Sequence, residues 1–311
     1  MNRFATVLLG TLLTAGCASG GDLPDEVLVR DPGLYPEGVE WDGARFLVSS
    51  AARGTVTAVH DDGSLEEFAA ADGITSSLGL HIDAAHGRLL VAGADFAAVV
   101  DPQVAGEAKL AIHDVATGQR LHLVDLAALR PHGRHLANDV TVDPAGNAYV
   151  TDSLSPLIYK VTPDGRASVL VEDPRLTGEG IGLNGIEYLP SGDLLVAQSS
   201  GHTLYRIPLD APEQLAEVRL SEPLAADGLL LLPDGAVVTP APFHPAVLEL
   251  RSDDGWASAR VTRRHPTTPE VTTTTAALRD GAVYALNAHF AEMGGPQPVE
   301  AFEIFRVGLT G

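Results

Sequence analysis

Cysteine is almost missing from this 311-residue chain. The one at position 17 has no possible partner, so no intrachain disulfide can form. Basic residues are scarce as well. Twenty Lys and Arg stand against 41 Asp and Glu, a formal charge of −21, which argues against nucleic acid because a phosphate backbone needs a basic face. Such a balance suits a soluble exported protein and is compatible with a bound cation. No apolar run approaches the ~20 residues of a permanent membrane span, and no stretch of useful length carries the period of an amphipathic helix. Catalytic signatures are missing too. Without a Gly-x-Ser-x-Gly elbow the serine-hydrolase reading fails, and there is no P-loop, Rossmann fingerprint or His-Glu-x-x-His.

What is present begins with an export signal. "MNRFATVLLGTLLTAGCASG" has a positive charge at Arg3, an apolar run from Phe4 to Leu13, and the small residues Ala15 and Gly16 before Cys17. The tail "LTAGC" resembles the bacterial lipobox, which makes Cys17 the lipid-bearing N-terminus of an exported lipoprotein. Residues 1–16 are then a lipoprotein-type signal peptide, 17–24 a flexible tether, and 25–311 one domain. The neighbours of Cys17 are Ala18 and Ser19, not the Asp that commonly retains bacterial lipoproteins at the inner membrane. The expected location is therefore the periplasmic or cell-surface side, attached to the outer membrane.

The domain is repetitive. "EGVEWDGARFLVSS" begins at Glu37, and variants begin at Leu78, Asn138 ("NDVTVDPAGNAYVTD"), Asn184 ("NGIEYLPSGDLLVAQS"), Asp227 ("DGLLLLPDGAVVTPA") and Thr273. Each is an apolar run, a Gly-containing tight turn and a second apolar run, which is how a β-hairpin reads. Spacings of 41, 60, 46, 43 and 46 residues, with several strands in each, point to the blades of a propeller. The expected fold is all-β, a six-bladed β-propeller. "DEVLVR" (Asp25 to Arg30) alternates like a strand without a nearby partner, while the last repeat lacks its outermost strand, so the N-terminal strand is expected to close the ring and remove its free edges. The second repeat is the longest, with its excess in "DFAAVVDPQVAGEAK" and "AALRPHGRH". Both links emerge on the face where the innermost strands begin, which marks that face as functional.

The first residue of each repeat should sit at the mouth of the central channel. The six are Glu37, Leu78, Asn138, Asn184, Asp227 and Thr273. Glu37, Asn138, Asn184 and Asp227 are oxygen donors, two of them carboxylates, a set that suits a hard divalent cation, Ca²⁺ above all. Four protein ligands would leave coordination positions for water and substrate, as in catalytic metal sites. Asn or Asp before Gly is an ordinary turn residue, but turns alone do not explain four donors in one register. Among the histidines, His81 lies three residues past a mouth position, His135 precedes Asn138, and His289 and His244 follow the second strands of the sixth and fifth repeats. His81, His135 and His289 are candidates for proton transfer, while Asp139 and Asp152 read as supporting hydrogen-bond partners.

With "EGVEW", "NDVTVDPAGNAYVTDS", "GLNGIEYLPSGDLLVAQ" and "ADGLLLLPDGAVV" in order, the chain resembles the gluconolactonase and regucalcin (senescence marker protein) family from about Asp25 to its end. Paraoxonase and diisopropyl fluorophosphatase share that family's fold. The resemblance implies a six-bladed propeller with a catalytic divalent metal, usually Ca²⁺, on Glu37, Asn138, Asn184 and Asp227. It also implies hydrolysis of lactones, esters or organophosphates, with Asp227 activating water as general base. The departures are specific. Leu78 and Thr273 stand where paraoxonase-like enzymes and the fluorophosphatase carry histidines, and Leu136 stands where sugar lactonases carry an Arg. The expected function is a calcium-dependent hydrolase of a small-molecule lactone or ester. The rival is a non-catalytic propeller that binds a ligand or protein and uses Ca²⁺ structurally.

Overall fold

The computed structural model describes residues 23–241 and 245–310. The expected signal peptide, Cys17 and His244 lie outside the described residues. The chain is all-β and folds as a propeller-like arrangement of antiparallel sheets.

Strands Val39–Trp41, Phe46–Val48, Val56–Val59 and Leu65–Ala69 pair in sequence order as one sheet. Ser76–Asp83, Arg88–Ala94, Gly106–Asp114 and Arg120–Asp125 follow the same pattern, and so do His135–Val142, Ala148–Asp152, Leu157–Val161 and Ala167–Glu172. A parallel pairing of His135 and Leu136 with Gly106 and Glu107 joins those two meanders. Next come Leu183–Tyr188 through Ala216–Glu217, then Leu230–Leu231 through Ser258–Pro266, with Arg219–Leu220 added in parallel at the outer edge. The remaining sheet places Glu26–Val29 beside Phe302–Arg306, followed by Ala282–Asn287 and Thr273–Arg279. Val27 faces Ile304 there, and Val29 faces Phe302.

Alternation along a strand sends successive side chains to opposite faces, and here both faces are buried. Val150 packs with Leu90, Ile112 and Tyr159, whereas its neighbour Tyr149 packs on the other side with Ile158, Leu194 and Ile207. The core therefore lies between successive sheets. The turns use the expected chemistry: Gly165 of Pro-Asp-Gly-Arg adopts φ +81°, open to glycine and strained for other residues. The insertion in the second repeat carries a single-turn helix, Ala97–Val100, between its second and third strands.

Candidate functional site

Four of the six innermost strands open with an irregularity. Ala137 pairs with Asp152 and Val140 with Val150, so Asn138 and Asp139 together face Thr151. Asn184 and Gly185 face Ala197 in the same way, and Leu78 and Gly79 face Ala92. A bulge of this kind re-aims side chains and bends the strand, and it recurs beside functional sites. The sixth repeat corrects the sequence expectation by one residue. Thr273 pairs with Asn287 and Ala276 with Ala285, so Thr274, not Thr273, takes the mouth position. Four consecutive threonines, 272 to 275, had left nothing to fix that register.

The mouth positions are stitched to one another through their backbones. Gly185 N–H donates to the Asp227 carbonyl at 3.1 Å and Gly228 N–H to that of Thr274 at 2.8 Å. A Cβ on Gly38 would lie 2.6 Å from the Leu78 carbonyl, and one on Gly79 would lie 2.7 Å from that of Asn138. Thr274 Oγ1 donates to the Glu37 carbonyl at 2.7 Å, linking the last repeat to the first. Hydroxyls at the ends of the second strands fix the rest. Ser49 Oγ accepts from Gly38 N–H (2.7 Å), and Thr151 Oγ1 donates to the Asn184 carbonyl (2.7 Å). Ser199 Oγ accepts from Asn184 Nδ2 at 3.1 Å, which orients that amide.

Glu37, Asn138, Asn184 and Asp227 line a single cavity of about 530 Å³. Glu37, Asn138 and Asn184 are each about 5% exposed. Glu37 Oε2, Asn138 Oδ1 and Asn184 Oδ1 have no hydrogen-bond partner, three of only seven such buried side-chain atoms among the described residues. Buried oxygens left unpaired are costly, and here they face one space. Burial raises the Glu37 carboxyl well above its usual range, with the charges of Asp227 and Asp139 adding to it. Burial raises Asp227 as well, against the opposing hydrogen bond from Asn184. A divalent cation would relieve both the repulsion and the missing partners, so the donor set fits one. Among the described residues no three His, Cys, Asp or Glu side chains cluster as a metal-binding group; half of this set is carboxamide.

One layer further along the strands, Glu40 and Glu187 are half-buried, and burial raises each to about 8. Asp139 is raised to about 7 by the same cause. His81 belongs to this layer, not to the cavity wall. Its Nδ1 is 3.8 Å from Glu40 Oε1, and burial lowers it to about 4. His135 is held on both sides, with Nδ1 2.7 Å from Asp152 Oδ2 and Nε2 2.8 Å from the Arg130 carbonyl. Burial opposes its charge, but those hydrogen bonds outweigh it and raise its pKa. Asp152 also accepts from Leu136 N–H and Tyr159 OH. His289 Nε2 turns to Glu303 Oε2 at 3.0 Å, which raises its pKa against burial. None of these three histidines lines the cavity. His202 does, together with Glu179 and Ser200, in a turn where its φ is +57°. It follows the second strand of the fourth repeat, the same place that drew attention to His289 and His244 in theirs.

Fold and site together define a propeller-like protein whose central cavity ends in a mixed carboxylate and carboxamide oxygen set. Residues 35–242, about two-thirds of the sequence, match the model of the SMP-30/gluconolactonase/LRE-like region, and the chain belongs to that family. The major Malassezia sympodialis allergen Mala s 1 is similar in structure, with a TM-score of 0.76 at 18% identity, covering 92% of this chain and 96% of the allergen. A Xanthomonas campestris gluconolactonase aligns with a TM-score of 0.61 at 17% identity over 90% of this chain and 89% of its own. Regucalcin from Agrobacterium tumefaciens, described as a calcium-binding protein, gives 0.60 at 19% identity over 89% and 92%. No curated protein matches the sequence significantly.

Proposed function

We propose that the protein is a calcium-dependent hydrolase of lactones or esters, built on a six-bladed propeller closed by its N-terminal strand and exported as a lipoprotein anchored at Cys17. The carrying observation is the orphaned oxygen set: Glu37 Oε2, Asn138 Oδ1 and Asn184 Oδ1 face one cavity with Asp227 and lack partners there. Support for the closed ring comes from the Val27–Ile304 pairing and from the Thr274–Glu37 contact. Glu37, Asn138, Asn184 and Asp227 would hold the cation, and a cation there supplies Lewis-acid polarisation of the substrate carbonyl. Asp227 takes a proton from the attacking water as its oxygen adds to the acyl carbon. The acyl C–O bond then breaks, the proton passes to the departing oxygen, and a lactone yields its hydroxy acid. His135 and His289, each bound to a carboxylate, position the backbone at the entry of the third repeat and after the second strand of the sixth.

A panel of lactones and esters assayed with and without chelator tests this. Turnover that chelator abolishes and Ca²⁺ restores is expected. A panel with no turnover, in a protein that still binds Ca²⁺, would favour the non-catalytic alternative.

A further inference from the structure

The cavity has two unlike walls. Its inner end is the polar set around Asp227. The wall beside it is hydrocarbon: Leu78 lines it with half-buried Phe96, Ile181 and Phe290, and all four belong to one apolar cluster with the fully buried Leu136. Phe96 opens the insertion of the second repeat, and Phe290 begins the turn after the second strand of the sixth. Elements nearly 200 residues apart thus bring their rings to 5.2 Å, tilted at 36°, over the same space. The other polar lining side chains lie away from that wall's apolar cluster: Ser199, which is tied to the Asn184 amide, half-buried Thr272, and Glu179, Ser200 and His202, which are exposed at the rim.

From this asymmetry we infer the substrate class: lactones or esters bearing an alkyl or aryl substituent, not polyhydroxylated sugar lactones. The inference rests on the hydrolase reading for the reaction but on the wall alone for the ligand. With its carbonyl at the polar end, a ligand lays its remainder against Leu78, Phe96, Ile181 and Phe290. None of these side chains has a polar atom, so each sugar hydroxyl placed there loses water without gaining a partner. Each methylene buried there gains about fourfold in binding or in kcat/KM. A volume of about 530 Å³ lies within the range of pockets that enclose drug-sized ligands, enough for a ring with a substituent.

The test pairs two measurements on the whole, Ca²⁺-loaded protein. In the first, kcat/KM is measured for γ-lactones of increasing chain length and for glucono-δ-lactone. It should climb about fourfold per methylene until the wall is covered, leaving the sugar lactone at least a hundredfold behind the best γ-lactone. In the second, calorimetry follows binding of 2-alkylcyclopentanones, which carry the carbonyl but no bond to hydrolyse, and affinity should climb alike. Phe96→Ser and Phe290→Ser should each flatten both slopes, while Phe290→Leu keeps them. Climbing ketone affinity with no lactone turnover would sink the hydrolase reading and leave the apolar wall standing. Efficient glucono-δ-lactone turnover with flat ketone affinity would overturn the substrate class and leave the hydrolase intact. If neither ligand type is bound or turned over, both fall.

Discussion

At the scale of single residues, the four mouth donors differ in what they should contribute. Asp227 is half-buried in the cavity with its carboxyl raised by burial, while Glu37 is almost wholly buried with an unpaired oxygen. Asp227→Asn keeps an oxygen ligand but removes the base, and turnover should drop by about 10²–10⁴ with an unchanged circular dichroism spectrum. Glu37→Gln should instead weaken Ca²⁺ binding, read by calorimetry, and recover much of its rate at high Ca²⁺. Asp227 and Glu37 could be picked out from the sequence because the repeat defines their register independently of their chemistry. His202 is legible by the same loop argument that selects His289, since it too follows the second strand of its repeat. The ties of His135 to Asp152 and Arg130 join residues whose approach depends on the finished fold.

At the scale of elements, the bulges decide where Asn138 and Asn184 point, and the glycines beside the donors leave almost no room. A Cβ on Gly185 would meet the Asp227 carbonyl at 2.4 Å, so Gly185→Ala must push the two innermost strands apart. It should cost about 1–3 kcal/mol of stability by denaturant titration and lower Ca²⁺ affinity as well. Hairpins, turns and the four strands of the third repeat were legible because alternation and Asp-Gly turns are local signals. The bulge in the sixth repeat was not, since one threonine in a run of four looks like the next. The layer of Glu40, Asp139 and Glu187 gives these strands a pH dependence. Unfolded, these carboxyls lose their protons near the ordinary 3.8–4.5; folded, without metal, they hold them until about 7–8. The folded state binds more protons across that window, so the metal-free protein should lose stability as pH rises from about 4.5 to 8. Melting curves over that range check it, and Glu40→Gln should shallow the slope.

At the scale of the molecule, ring closure and anchoring are separate expectations. Val27 and Val29 are fully buried and belong to the core that also holds Phe46, Tyr284 and Phe302. Deleting residues 25–30 should therefore expose the strand Phe302–Arg306 as a free edge, with aggregation and faster proteolysis as the readouts. Cys17→Ser should release the protein from membranes into the soluble fraction without changing its fold, and equal membrane retention would reject the lipid anchor. The all-β, propeller-like character was readable from the spacing of the repeats. The apolar wall was not, because Phe96 and Phe290 lie nearly 200 residues apart and meet only in the assembled fold.

The most direct measurement of the central claim is a crystal structure of the Ca²⁺-bound protein. The account predicts one cation at the inner end of the cavity, bound by side-chain oxygens of Glu37, Asn138, Asn184 and Asp227 at about 2.3–2.6 Å. A cavity holding only water at saturating Ca²⁺, or a cation bound elsewhere while these four oxygens stay apart, would contradict it.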